Sequence, residues 1–325
     1  MISGKEIFAI RTETEFNSRA LEVFGHQYRE NPVYRRFLES LNLDPEKIHH
    51  YTRIPFLPIG FFKMHRVVTG EGPEEKVFLS SGTTGTEKSR HYLNDVALYR
   101  ESIRRGFSHF FGDAAQYDIF ALMPAPEENP NSSLIFMVDE WIRNSGSAGS
   151  GFYLHEQAGL AKKLSEEGKN RRKKILIGLT YALLDFTERF PLSFAGGIVM
   201  ETGGMKGRRE EMVREELHRL LKQHFLVSQI HSEYGMTELL SQAISEGEGV
   251  FRSPPWMKIL IRDPDDPLEL IPPGRTGGVN IIDLANIHSC SFIATQDLGK
   301  LHPDGSFEIL GRFDDSDLRG CSLMV

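Results

Sequence analysis

Residues 80–89 read SSGTTGTEKS and follow the short apolar run Val77-Phe78-Leu79. Gly82 and Gly85 free the backbone to turn tightly, Ser80, Ser81, Thr83, Thr84 and Thr86 supply hydroxyls, and Lys88 adds a cation. Successive backbone N–H groups in such a loop face anionic oxygens, and hydroxyls with one lysine can follow negative charge as a phosphate leaves. The stretch is equipped to hold a polyphosphate. Glycine, serine and threonine also build ordinary polar turns, so the loop by itself leaves both readings open. A P-loop is excluded. Residues 82–89 nearly spell G-x-x-x-x-G-K-[ST], but Glu87 stands where the second glycine belongs and would set a carboxylate against the phosphates.

The elements around the loop predict an α/β fold. Residues 12–41 read as helices, with Phe16, Ala20, Val23 and Phe24 on one face, and the prolines of IPFLPIGFFK at 54–63 predict an extended segment ending at Lys63. Asn94 or Asp95 caps a helix carrying Tyr99, Ile103, Phe107 and Phe111. Buried strands are expected over 117–123, 174–180, 194–200 and 227–230. Helices are expected from Ser132-Ser133 through Trp141, over 181–190, and up to Phe225. SGSAGSG at 145–151 reads as a loop. Such alternation places helices on both faces of a sheet, and ligands then sit at the carboxyl ends of its strands. Two polar stretches occupy that position, ETGG at 201–204 and EYGMTE at 233–238. Beyond Phe251, short strands at 258–261, 279–283, 291–294 and 307–310 alternate with turns at Pro272-Pro273-Gly274 and Gly277-Gly278. The division expected is residues 1–250 for the helices and α/β core and 251–325 for a small β subdomain with a short tail.

Composition narrows the function. Of 325 residues, 40% are hydrophobic and 26% charged, and 38 Lys+Arg against 45 Asp+Glu give a net charge of -7. An acidic surface argues against nucleic acid as a partner. The N-terminus MISGKEIFAIRTETEF has charges and no apolar core, so no signal peptide is read, and no stretch reaches the length of a membrane span. Cys290 and Cys321 make no disulfide framework, and a cytoplasmic location is expected. His50, His218 and His224 lack partners at metal-ligand offsets and read as structural.

Four motifs in order, SSGTTGTEK at 80–88, EYGMTE at 233–238, TQDLG at 295–299 and GRFDD at 311–315, resemble those of the adenylate-forming (acyl-CoA synthetase-like) enzymes. The resemblance covers roughly residues 80–320. It implies the N-terminal domain of that fold, with helix-flanked sheets and a small C-terminal β subdomain. It also implies ATP and Mg²⁺ as cofactors and a carboxylic acid as substrate. On this resemblance Ser80, Ser81, Gly82, Thr83, Thr84, Gly85 and Lys88 grip the departing pyrophosphate. Tyr234 and Gly235 take the adenine, with Gly203 and Gly204 as its loop, and Thr237 bonds the α-phosphate. Glu238 offers oxygen to the metal, Asp297 accepts from the ribose hydroxyls, and Arg312 reaches ribose or phosphate.

One departure stands out. Enzymes of this kind continue past the GRFDD hinge into a lid domain carrying an adenylation lysine, whereas this sequence stops at Val325. Lys63, otherwise a surface lysine, becomes a candidate for that role. The short layout is similar to the LuxE-type acyl-protein synthetases, related to phenylacetate–CoA ligases. There the acyl group passes from AMP to a cysteine near the C-terminus and on to an acyl reductase partner. Cys321, on the tail RGCSLMV, matches that cysteine. The alternatives are an AMP-forming acyl- or aryl-CoA ligase and a nucleotide-binding subunit without chemistry.

Overall fold

Thr12 and Glu15 form a reciprocal cap: Thr12 Oγ1 accepts from the Glu15 N–H at 3.2 Å, and Glu15 Oε2 accepts from the Thr12 N–H at 3.0 Å. After a one-turn helix α1 (Gly4–Ile7), that cap starts α2 (Glu13–Glu30), and Asn31 caps α3 (Pro32–Ser40). These are the helices expected over 12–41, with Phe16, Ala20, Val23 and Phe24 buried. The computed structural model describes residues 4–81, 87–166, 172–204 and 212–313. The segment 54–63 is extended as far as strand β1 (Leu57–Pro58), but it ends in a short helix α4 (Phe61–Met64) that carries Lys63.

A hairpin of β2 (Lys76–Leu79) and β3 (Arg90–Leu93) comes next, and Asp95 caps α5 (Val96–Phe111) by accepting from the Leu98 N–H at 2.9 Å. Strands and helices then alternate. In order they are β4 (Tyr117–Leu122), α6 (Ser133–Ser145), β5 (Gly151–Phe152), α7 (Gln157–Ser165), β6 (Lys173–Leu179), α8 (Thr180–Arg189), β7 (Ile198–Thr202), α9 (Arg214–Phe225) and β8 (Ile230–Tyr234). Strands β5, β4, β6, β7 and β8 lie side by side and parallel. Most of β4 and β6 is buried on both faces, which is why they read as unbroken apolar runs. Helix α6 packs on β4, α8 on β6 and β7, and α9 on β8.

The remaining strands are β9 (Ala243–Ser245), β10 (Val250–Arg252), β11 (Met257–Arg262), β12 (Thr276–Asp283), β13 (Phe292–Leu301) and β14 (Phe307–Arg312). They extend the same sheet from β8 in the antiparallel order β9, β10, β14, β13, β12, β11, while β1 joins β13 in parallel. The α/β expectation holds. The boundary expected at 250/251 falls within β10, and the sheet continues across it.

Several strands differ from their expected limits, and beside β14, which runs on to Arg312, three of them bring motif residues into the sheet. Residues 194–197 form a turn closed by the Gly197 N–H on the Phe194 carbonyl at 2.9 Å, so β7 starts at Ile198 and takes in Glu201 and Thr202. Leu226 adopts a left-handed φ of 54°, and β8 is displaced to include His231, Ser232, Glu233 and Tyr234. Strand β13 runs on through TQDLG because Gly299 lets β14 come close. A Cβ at Gly299 would lie 2.7 Å from the Glu308 carbonyl oxygen.

Candidate active site

Residues 80–89 close the β2–β3 hairpin. Its neck is locked by the Ser80 N–H on the Ser89 carbonyl at 3.1 Å and by the Ser89 N–H on Ser80 Oγ at 2.9 Å. Phe78 anchors the hairpin in the core, edge-on to Tyr99 and Phe136. Ser81 and Lys88 are exposed at either side of the loop, and Gly82, Thr83, Thr84 and Gly85 lie outside the described residues.

The second motif continues from the end of β8, where the sheet changes from parallel to antiparallel. A Cβ at Gly235 would stand 2.5 Å from Glu233 Oε1, so a side chain there would displace the Glu233 carboxylate. Three residues on, Glu238 is 4% exposed, and burial pushes its carboxyl above the ordinary carboxylate value. A hydrogen bond with the Ser89 side chain and the charges of Arg312 and Lys63 pull the other way. One carboxylate thus collects influence from the loop, the last motif and α4. Lys63, a surface residue by its exposure, acts on the site through its charge.

Asp297 and Arg312 face each other across β13 and β14, with Arg312 Nε 3.2 Å from Asp297 Oδ1. The other oxygen, Oδ2, accepts from the Tyr234 hydroxyl at 2.7 Å. The Tyr234 ring rests edge-on against Phe251 and Phe307, whose rings are themselves stacked. Residues from the second, third and fourth motifs therefore meet in one cluster. Gly203 and Gly204 follow β7 with φ of 76° and 61°, beside Thr202, whose Oγ1 donates to Glu233 Oε2 at 2.6 Å. Cys321 lies outside the described residues.

Beneath this cluster a buried polar layer joins Glu201 and Glu233, the first residues of ETGG and EYGMTE, to Thr180, His218 and Ser232. Thr180 Oγ1 donates to Glu201 Oε2 at 3.1 Å, and His218 Nε2 stands 3.6 Å from Glu201 Oε1. Burial pushes Glu201 up, but hydrogen bonds from His218 and Ser232 with the charges of His218 and Arg214 hold it below its ordinary value. His218 Nε2 also lies 3.4 Å from Ser232 Oγ. Glu233 goes the other way: burial, opposed by the Thr202 hydrogen bond and reinforced by the Glu201 charge, takes it from 4.5 to about 7. Between those values this one carboxyl holds more proton in the folded chain than in the unfolded one, so its own contribution to stability falls as pH rises. Glu233→Gln is expected to remove that slope, matching the parent near pH 4.5 and gaining up to about 3 kcal/mol by pH 7. Thermal melts at the two pH values check this, and an equal difference at both would count against it.

Sequence reading also passed over His91, Asp283 and Asn286, all buried. The signal available was the string of polar residues within the apolar stretch IIDLANIHSCSFI at 281–293, where burial demands hydrogen-bond partners. Open clefts of about 420 Å³, beside Arg29 and Arg36, and about 390 Å³, beside Leu268 and Leu301, lie away from the motif residues. Among the described residues there is no cluster of three or more His, Cys, Asp or Glu suited to a metal, and no helix long and apolar enough to cross a membrane.

The family model described as acyl-protein synthetase, LuxE, matches residues 9–325. No curated protein matches the sequence. Among solved structures, 2-hydroxyisobutyryl-CoA ligase in complex with 2-HIB-AMP and CoA is similar at TM-score 0.68 and 14% identity, over 93% of this chain and 68% of that one. ATP-bound MatB from Rhodopseudomonas palustris is similar at TM-score 0.55 and 16% identity, over 74% and 49%. The luciferase-like enzyme of the mealworm Zophobas morio is similar at TM-score 0.54 and 16% identity, over 85% and 63%. These likenesses concern the fold, and the chain corresponds to about half the length of MatB.

Proposed function

Because this chain belongs to the acyl-protein synthetase family LuxE, we propose that it uses ATP to convert a carboxylic acid, of the fatty class, to acyl-AMP and passes the acyl group to Cys321. A carboxylate oxygen of the acid attacks the α-phosphorus, the bond to the β-phosphate oxygen breaks, and pyrophosphate leaves. The Cys321 thiolate then attacks the acyl carbon and AMP departs, leaving a thioester for delivery to an acyl reductase. The loop at 80–89 with Lys88 takes the charge that builds on pyrophosphate, and Thr237 steadies the α-phosphate. Asp297 accepts from the ribose hydroxyls once they displace the Tyr234 hydroxyl, and Arg312 stays beside it. Lys63 supplies the adenylation cation. Mg²⁺ is commonly held by one or two carboxylates together with substrate phosphates, so the single buried Glu238 fits that ion arriving with the nucleotide. When bound, it would neutralise phosphate charge.

The observation that supports this reading most is the cluster of Tyr234, Asp297 and Arg312, in which the second, third and fourth motifs meet at hydrogen-bond distance. The experiment is pyrophosphate release from ATP over a panel of carboxylic acids, followed by acyl labelling of the protein. Release dependent on one class of acid is expected, with hydroxylamine-labile label that Cys321→Ser loses. Label surviving in Cys321→Ser would overturn the transfer step, and free acyl-CoA would make coenzyme A the acceptor.

A further inference from the structure

Residues 235–242, between β8 and β9, run without a strand or helix ladder, yet the backbone at Glu238 is buried. Carbonyl groups there need partners from elsewhere. They find them in His91 and Asn286. His91 lies on β3, two residues past Ser89, wholly buried, with Phe62 edge-on to its ring at 5.9 Å. Its Nδ1 is 2.8 Å from the Thr237 carbonyl oxygen and its Nε2 is 3.0 Å from Asn286 Oδ1. Asn286 Nδ2 donates to the carbonyls of Glu238 at 2.8 Å and Cys290 at 2.9 Å. Behind it, Gln27 Nε2 on α2 donates to the Asn286 carbonyl at 3.0 Å. Both oxygens facing the ring are acceptors, so one ring N–H can serve one of them and only the protonated ring serves both, while burial pushes the ring down to about 4.

The neck of the loop and the Thr237–Glu238 backbone are thereby fastened by side chains alone. The hairpin carries the loop residues, and its strand β3 carries His91, so any slip of the hairpin moves Ser89 and His91 together against Glu238. We infer that His91 and Asn286 are positioning residues, setting the Glu238 carboxyl beside Ser89 at the neck of the hairpin. The inference rests on the adenylation reading above. Neither side chain touches substrate in this role; each acts through the backbone of the second motif.

The test uses the full chain with ATP and the acid found by the panel. His91→Phe keeps the ring packed on Phe62 and removes both nitrogens. Exchange at saturating ATP is expected to fall about 10- to 100-fold, the usual cost of losing a group that orients a ligand. The KM for ATP should stay within about threefold, because binding energy common to ground and transition states is untouched. Binding of Mn²⁺ to the protein with a non-hydrolysable ATP analogue, followed by electron paramagnetic resonance, should weaken in step. His91→Gln, which retains one donor, should recover part of both losses. A lowered melting temperature with turnover and Mn²⁺ binding unchanged would show a purely structural role, and a parallel loss of ATP affinity would place His91 in nucleotide binding; either overturns the inference. Should His91→Phe fail to fold, the same readouts on His91→Gln decide. Absence of exchange in the unmutated protein with every acid is a different result and removes the adenylation reading itself.

Discussion

Lys88→Ala is expected to lower acid-dependent pyrophosphate exchange by about a hundredfold or more, the scale seen when a group aimed at developing charge is removed. Lys88 is exposed and, among the described residues, has no carboxylate partner, so its cation is not spent on the fold. It stands one residue before Ser89, which bonds the Glu238 carboxyl, and so at the junction between the loop and the buried acid. Removing the side chain should leave the melting temperature where it was. Isotope exchange between pyrophosphate and ATP, measured beside a thermal melt, separates the two effects. Unchanged exchange would mean that the charge is carried elsewhere and that the catalytic centre has been misplaced.

The largest effect on stability is expected at Asp283, which is fully buried at the end of β12. Its Oδ2 accepts from the Leu240 and Ser241 N–H groups at 2.8 and 2.9 Å, and its Oδ1 from Ser241 Oγ at 2.7 Å and the Ala285 N–H at 3.1 Å. Trp256 Nε1 donates in turn to Ser241 Oγ at 2.9 Å. Burial pushes this carboxyl up, and the four donors draw it back. Asp283→Ala strands several buried donors at once, each worth ~1–3 kcal/mol when left unmade, so a loss of about 3–5 kcal/mol is expected. That corresponds to a fall of roughly 10 °C in melting temperature. Asp283→Asn, which keeps an acceptor, should lose less. A change below about 1 kcal/mol in urea titrations would show that water or relaxation replaces the carboxylate.

Much of the site was legible because its chemistry is tied to residue type. A glycine- and hydroxyl-rich loop, a Tyr-Gly followed by Thr-Glu, and an Asp in TQDLG declare themselves wherever the chain carries them. β4 and β6 were legible because burial on both faces leaves unbroken apolar runs. Strand limits were not, where polar residues inside a strand look like loop: Glu201 and Thr202 in β7, Glu233 in β8 and Asp297 in β13 are held there by neighbouring strands, not by local preference. His91, Asp283 and Asn286 were invisible for another reason. Their partners in 235–242 are 42 to 146 residues distant, and the need they answer, unpaired carbonyls and N–H groups there, exists only once the chain is folded.

The link from Gln27 to Asn286 spans 259 residues, and Asn31 Nδ2 reaches the Ser289 carbonyl across 258. Helix α2 also lays Phe24 against Phe292. On a ribosome adding about 5–20 residues per second, the apolar face of α2 waits roughly 10–50 s before its seat on β13 has been made. During that interval Phe16 and Phe24 can meet Tyr51 and Tyr34, which lie nearby in the chain, while the part of the face that rests on Phe292 stays uncovered. The first helices of this chain are therefore made long before their seat on β13, and the backbone that holds Glu238 is completed only once Asn286 has emerged.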